Sequence, residues 1–217
     1  IWIFNQAGYE VIVPEKFKCC GLPLVSNGFK KDAAKNAKVN VSVIKEYKDQ
    51  NIPVVTGCPS CALMFKKDVP EMFNDVIFDN YEGGVLDAQE FLVGCVERGE
   101  LKFDNVMPKK SIIYHTPCHL RAQGIGLPSI DLLETLTGNK VINAQAGCCG
   151  ISGSYGFKIE KYQIGLEVGN ELFNKVKDSN CDIVTTECGT CQVQIQHGTN
   201  RKTYHPVSVI RHMVEGK

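Results

Sequence analysis

Three observations predict an α/β chain. Strand-like apolar runs alternate with helical periodicity, one cysteine motif recurs at a nearly constant spacing, and 217 residues are enough for two modest cores. The expected architecture is two duplicated Rossmann-like halves, each a small parallel sheet flanked by helices. Lysine plus arginine (24) balances aspartate plus glutamate (24), so no basic excess points to nucleic acid. With 43% hydrophobic and 22% charged residues the composition is that of an ordinary globular chain. No apolar run approaches the ~18 residues of a spanning helix. Disorder, a transmembrane protein and a polycationic binder are thereby excluded.

The repeat is carried by cysteine. Cys19-Cys20-Gly21 is followed by Cys58-x-x-Cys61, and Cys148-Cys149-Gly150 by Cys188-x-x-Cys191. Cys20 to Cys149 is 129 positions and Cys58 to Cys188 is 130. The flanks agree: Ser26-Asn27-Gly28-Phe29-Lys30 matches Ser154-Tyr155-Gly156-Phe157-Lys158, and Gly8 before Val11-Ile12-Val13 matches Gly138 before Val141-Ile142. Residues 1–100 are read as the first repeat with a connector helix, and residues 101–217 as the second. At this spacing the counterpart of Cys118, in His115-Thr116-Pro117-Cys118-His119, falls about a dozen positions before Ile1. The first site is therefore expected to lack a ligand here. The apolar opening Ile1-Trp2-Ile3-Phe4 reads as part of a core, and hence of a longer protein.

In chain order, Glu10-Val11-Ile12-Val13 reads as a strand ended by Pro14. Residues 30–49 read as a polar, lysine-rich helix with Val39, Val43, Ile44 and Tyr47 at helical spacing. Pro53-Val54-Val55-Thr56 is a strand delivering Cys58 to a turn, and Pro59 suits a first helical position. Residues 70–108 read as a connector, with Asn80-Tyr81-Glu82-Gly83-Gly84 followed by a helix near 85–98. The second half repeats the order: a strand at 111–115, a helix near 128–137 and a strand at 140–143. After the Cys-Cys-Gly turn come a helix near 158–177 and the strand Ile183-Val184-Thr185 leading to Cys188. Ligands are then expected at the carboxyl ends of strands, with helix N-termini at 59–63 and 189–193 beside them.

Eleven cysteines in 217 residues fall below the ~8–10% of a disulfide scaffold. Two C-x-x-C pairs without a secretory leader read as metal sites in a reducing, cytoplasmic compartment. A tetrahedral zinc site would suit C-x-x-C plus two further ligands. Adjacent cysteines project in different directions, however, and suit separate irons of a cluster better than one ion. Gly21 and Gly150 then allow a positive φ and bring N–H groups close to a thiolate-rich anion. A dithiol redox pair would leave the Cys-Cys-Gly block unexplained. Cys95 and Cys181 lie outside the pattern and read as core thiols. Gly153 and Gly156 carry only a weak phosphate-loop signal, since no P-loop lysine-serine follows. No base is paired with a nucleophile, so hydrolytic chemistry has no foothold and no catalytic residue is assigned.

Duplicated Cys-Cys-Gly followed by Cys-x-x-Cys, with Lys18-Cys19-Cys20-Gly21-Leu22-Pro23-Leu24, Tyr114-His115-Thr116-Pro117-Cys118-His119, Thr186-Glu187-Cys188-Gly189-Thr190-Cys191 and His205-Pro206, resembles the cysteine-rich CCG domain. That domain occurs in heterodisulfide reductase and in iron–sulfur subunits of flavin dehydrogenases of the anaerobic glycerol-3-phosphate dehydrogenase type. The resemblance implies a [4Fe–4S] cluster on Cys118, Cys148, Cys149, Cys188 and Cys191. Cys19, Cys20, Cys58 and Cys61 would line an incomplete first site, where zinc is an alternative. His115 and His119 would tune the cluster or relay protons, against the plainer reading of packed, hydrogen-bonded histidines. His205 is expected to cap the final helix or pack beneath the second site. The function implied is electron transfer from a flavin dehydrogenase partner, acting on glycerol-3-phosphate or a similar hydroxy acid, toward membrane quinone or a quinone-reducing subunit. The place implied is the cytoplasm, peripheral to the cytoplasmic face of the inner membrane, with no nucleic-acid partner. Two alternatives stand beside it: disulfide cleavage at a non-cubane cluster, as in heterodisulfide reductase, and a zinc-stabilised structural module.

Overall fold

A computed structural model describes all residues except 74, 75, 79, 80, 82, 105, 107, 108 and 217. The chain forms two compact units, Ile12–Ala88 and the combination of Ile1–Val11 with Gln89–Lys217. The first helix, α1 (Trp2–Gln6), belongs to the latter.

In the unit Ile12–Ala88, the Cys19-Cys20-Gly21 turn opens α2 (Leu22–Ser26), followed by α3 (Lys30–Asp49). The helix α3 has the predicted bounds, with Asp32 in its first turn and Lys48 in its last complementing the dipole. Its buried stripe differs from the expected one: it runs through Ala33, Ala37, Asn40, Val41 and Ile44 with Val43, while Val39 is exposed and Tyr47 half-buried. Small alanines let the helix lie close under the turn, where a Cβ on Gly21 would sit 3.4 Å from the Ala33 Cβ. After β1 (Val55–Thr56), α4 (Pro59–Leu63) passes through a π-helical turn, Met64–Asp68, into α5 (Val69–Met72). Then β2 (Leu86–Asp87) pairs with β1 in parallel. Ala37, Val41 and Ile44 pack on Met64, Phe65, Val69, Phe78 and Val85 to form the core.

The strand expected at residues 10–13 is absent: Ile12 is 52% and Val13 72% exposed. A strand needs a neighbour to satisfy its backbone. The equivalent strand of the second repeat, at Val141–Asn143, is paired among the described residues, whereas no strand among the described residues pairs with residues 10–13.

The larger unit continues with α6 (Ala88–Glu97), β3 (Ile112–Tyr114), α7 (Cys118–Arg121), α8 (Pro128–Thr137) and β4 (Val141–Asn143). Two short 3₁₀ turns, Tyr155–Phe157 and Ile159–Lys161, precede α9 (Tyr162–Asp178), so this helix starts later than the expected residue 158. Extended backbone at Lys158 separates the turns. Then follow β5 (Ile183–Thr185), α10 (Gly189–Thr199), β6 (Thr203–Tyr204) and α11 (Pro206–Val214). The sheet is parallel throughout, in the order β4-β3-β5-β6. Strand order reverses between β3 and β5, and a crevice at the carboxyl ends of such strands is where α/β folds bind ligands.

Helix α1 precedes Gly8 as α8 precedes Gly138, and α6 follows β2 as α11 follows β6. These equivalent helices share one core: Ile3 and Ala7, Leu92 and Cys95, Leu132, Leu133 and Leu136, Val209, Ile210 and Met213. The segment read as a connector thus contains β2 and α6, the closing elements of the first repeat. Asn80 and Glu82 of its expected turn lie outside the described residues. Residues 1–11 and 89–100 pack in one unit with residues 101–217. Each outer helix carries an apolar face that must be covered, and the equivalent helices cover one another.

Candidate functional site

Three strand ends of the larger unit deliver cysteines. After β3 come buried His115, Thr116 and Pro117, then Cys118 at the start of α7. The loop after β4 carries Cys148-Cys149-Gly150, and β5 leads through Thr186 and Glu187 to Cys188, the N-cap of α10, with Cys191 in its first turn. Gly150 has φ 95°, and a Cβ there would overlap the carbonyl oxygen of Gly165 in α9. A Cβ on Gly169 would come within 2.6 Å of the Cys149 oxygen, and one on Gly156 within 2.8 Å of the Gly150 oxygen. The turn thus lies directly on the backbone of α9. Gly156 serves this packing, which accounts for its presence without a phosphate.

The thiols perturb one another in the order Cys118–Cys148–Cys149–Cys191–Cys188. Within this order the Sγ atoms of Cys191 and Cys149 are 3.2 Å apart. Cys118 is exposed, Cys148 half-buried, and Cys149, Cys188 and Cys191 buried. The Cys118 thiol, then that of Cys149 and the Gly150 N–H (3.3 Å), hold the Cys148 thiol well below the ordinary range. Cys188 is lowered to about 5, first by the Cys191 thiol and then by Thr190 and backbone N–H groups at the start of α10. Their donors Cys118 and Cys191 are raised correspondingly.

The first repeat reproduces the order Cys19–Cys20–Cys61–Cys58. Cys58 is the N-cap of α4, Gly21 has φ 94°, and hydrogen bonding by Cys61 lowers the Cys20 thiol. Here a side-chain clamp holds the turn. Buried Asn40 accepts from the Lys18 N–H at 2.7 Å and donates to the Lys18 and Cys19 carbonyls at 3.2 and 3.3 Å, and Asn36 also donates to Cys19. Sequence reasoning missed Asn40, although an amide inside an alanine–valine stripe was a visible signal.

Among the described residues, no three His, Cys, Asp or Glu side chains converge as a site for a single metal ion.

His115 is 2% exposed, and neither ring nitrogen has a hydrogen-bond partner among the described residues. Burial first, then the Arg121 charge, pulls its pKa down to about 4, against an opposing pull from Cys148. The ring is therefore neutral at pH 7. His119 is half-buried. His205 caps α11, its Nδ1 accepting from the Val207 N–H at 3.2 Å. Cys95 and Cys181 are buried core thiols.

A second residue missed in the sequence is Glu187, 2% exposed. Its Oε1 accepts from the Tyr114 hydroxyl at 2.7 Å and the Ser129 hydroxyl at 3.2 Å. Tyr114 ends the strand leading to Cys118, so this contact ties two cysteine-bearing loops together. The first repeat has Gly57 at the equivalent place. Tyr114→Phe removes the shorter donor and is expected to cost about 1–3 kcal/mol, read as a fall in the midpoint of thermal unfolding. An unchanged midpoint would show the tie to be dispensable.

The family of cysteine-rich domains designated CCG matches residues 2–66 and 112–196, one stretch in each repeat. One of the subunits of anaerobic glycerol-3-phosphate dehydrogenase from Escherichia coli (strain K12) is 34% identical over 215 residues, covering 97% of this chain and 53% of the relative. One of the subunits of fumarate reductase (CoM/CoB) from Methanothermobacter marburgensis is 28% identical over 211 residues, covering 96% and 40%. Lactate utilization protein A from Halalkalibacterium halodurans is 27% identical over 230 residues, covering 97% and 87%. The chain spans about half the length of its glycerol-3-phosphate dehydrogenase relative.

Proposed function

We propose, from the premise that this chain belongs to the CCG cysteine-rich domain family, that it is the iron–sulfur electron-transfer part of a flavin dehydrogenase complex. The observation that carries the reading is the unbroken run of five thiols at the ends of β3, β4 and β5. The donor set fits a cluster on two counts. Five thiols gathered at three strand ends are more donors than a single tetrahedral ion takes, and the ring nitrogens of buried His115 have no partner among the described residues. Cys118, Cys148, Cys149, Cys188 and Cys191 would hold a [4Fe–4S] cluster. Cys19, Cys20, Cys58 and Cys61 would line a second, less complete site, with zinc as the alternative occupant. When bound, the cluster supplies reversible one-electron transfer.

The chain's own residues set the surroundings. The Gly150 N–H and the N-terminus of α10 offset thiolate charge. Burial of Cys149, Cys188 and Cys191 excludes water, while exposed Cys118 leaves one side open to a redox partner. In this reading electrons come from a flavin-bearing partner oxidising glycerol-3-phosphate or a similar hydroxy acid and pass toward membrane quinone. Among the described residues no helix is long and apolar enough to cross a membrane. The proposal places contact with the cytoplasmic face on a partner protein of the complex. A second reading, cleavage of a disulfide between small thiols, is favoured by the same order of mutually perturbed thiols in the first repeat.

Iron, acid-labile sulfide and zinc per chain, measured on protein purified without oxygen, test both. About four iron and four sulfide support electron transfer through one cluster. About eight of each fill both sites and favour the disulfide reading. Zinc without sulfide overturns the redox proposal and leaves a structural module.

A further inference from the structure

We infer that His115 is a hydrogen-bond donor to the group held by the second-repeat cysteines, which offers its N–H the acceptor that the described residues do not. The inference rests on the iron–sulfur reading above and assigns one residue a function within it.

A buried imidazole ordinarily finds partners for its nitrogens, because leaving a polar group dry and unpaired is destabilising. His115 sits at the end of β3, where its backbone N–H already donates to the Thr185 carbonyl at 3.0 Å. Its ring, 2% exposed, has no hydrogen-bond partner on either nitrogen among the described residues. The ring nevertheless lies close enough to Cys148 for the two to interact electrostatically. Three residues further on, Cys118 begins α7, and its thiol is perturbed first by Cys148. The unsatisfied ring therefore lies at the strand end that leads to Cys118, within electrostatic reach of Cys148. A neutral imidazole carries one N–H, and a thiolate- and sulfide-rich anion offers acceptors that the protein lacks. Donation to such sulfurs stabilises the more negative, reduced form and so raises the reduction potential.

A packed structural histidine and a donor to the cluster make opposite predictions for His115→Leu. If the ring only fills space, leucine has a similar effect whether or not the site is loaded. If the ring is an orphan awaiting an acceptor, leucine relieves an unsatisfied group in the stripped chain and removes a bond in the loaded one. The sign of the effect on stability then reverses with loading.

The experiment uses the whole chain, reconstituted anaerobically with ferrous iron and sulfide, and the same protein stripped with a chelator. Wild type, His115→Leu and His115→Gln are compared by redox titration of the loaded form and by thermal unfolding of both. Loaded His115→Leu is expected at a lower midpoint potential than wild type, with His115→Gln restoring most of the difference through its amide N–H. Stripped His115→Leu should unfold roughly 2–8 °C above stripped wild type, and loaded His115→Leu below loaded wild type. Wild type that loads normally while all three potentials coincide overturns the inference alone. So does a loss of stability in both forms of His115→Leu. Wild type that takes up neither iron nor sulfide overturns the electron-transfer reading, and this inference with it.

Discussion

Alanine at Gly150 is expected to disable the second site, whereas alanine at Gly21, its repeat equivalent, should be tolerated. The two glycines share a backbone conformation, φ 95° and φ 94°. A side chain in this left-handed region costs about 1–2 kcal/mol at either position. Their surroundings differ. At Gly21 the nearest atom to a new Cβ is the Ala33 Cβ at 3.4 Å, an ordinary contact. At Gly150 the new Cβ would overlap the Gly165 carbonyl oxygen, with the Gly169 nitrogen 3.2 Å away. Both belong to helix backbone and cannot rotate aside, so α9 or the cysteine turn must move, adding about 1–3 kcal/mol of overpacking. Gly150→Ala should thus cost about 2–5 kcal/mol, and displacement of Cys148 and Cys149 should empty the second site. Thermal unfolding and iron content of the two variants decide the matter. Equal losses in both would mean that the glycines are needed only for their dihedral angles and that contact with α9 is incidental.

The same pair of turns shows what could and could not be read in the sequence. The repeat was legible because cysteine is rare and its spacing is fixed by the loops that present it. The bounds of α3 and α8 were legible because long periodic segments with Pro or Gly at their ends have few alternatives. Parallel pairing followed from strand–helix alternation. Less visible were β2 and β6, two-residue strands defined by their neighbours more than by their own composition. The run at 10–13 has the composition of a strand but pairs with no strand among the described residues.

Periodicity shows that a helix has an apolar face without naming what covers it. This is why α6 read as a connector, although Leu92 and Cys95 pack in one core with α1, α8 and α11. Around the sites, the cysteines and the glycines of the turns were legible as residue types with a definite chemistry. Their supports were not. Asn40 clamps one turn while Gly165 and Gly169 cradle the other, so two equivalent turns are held by different physical means. Glu187 looked like any glutamate in a loop until Tyr114 and Ser129 were found against it. Burial, which decides whether such a residue is solvated or structural, comes from long-range packing that no local pattern encodes.

Serine at Cys149 should remove the second-site cluster outright, and serine at Cys181 should leave it in place. Both thiols are buried, at 4% and 3% exposure, and both lie in the same hydrophobic core. A hydroxyl introduced at either position therefore disturbs packing to a similar degree. Their places in the thiol chain differ. Cys149 joins Cys148 on one side to Cys191 on the other, so it connects the Cys-Cys-Gly turn to the start of α10. Cys181 precedes β5 and takes no part in that chain. A serine hydroxyl stays protonated near neutral pH and is a poor substitute for a soft thiolate on iron. Cys149→Ser is expected to lose about four iron and four sulfide per chain, together with their visible absorbance. Cys181→Ser should keep them, with a small fall in unfolding temperature. The same substitution at Cys20, the repeat equivalent of Cys149, reports on the first site independently. Iron retained in full by Cys149→Ser would remove this cysteine from the ligand set. Iron lost equally from Cys181→Ser would mean that loading follows the integrity of the core and not the identity of the thiols.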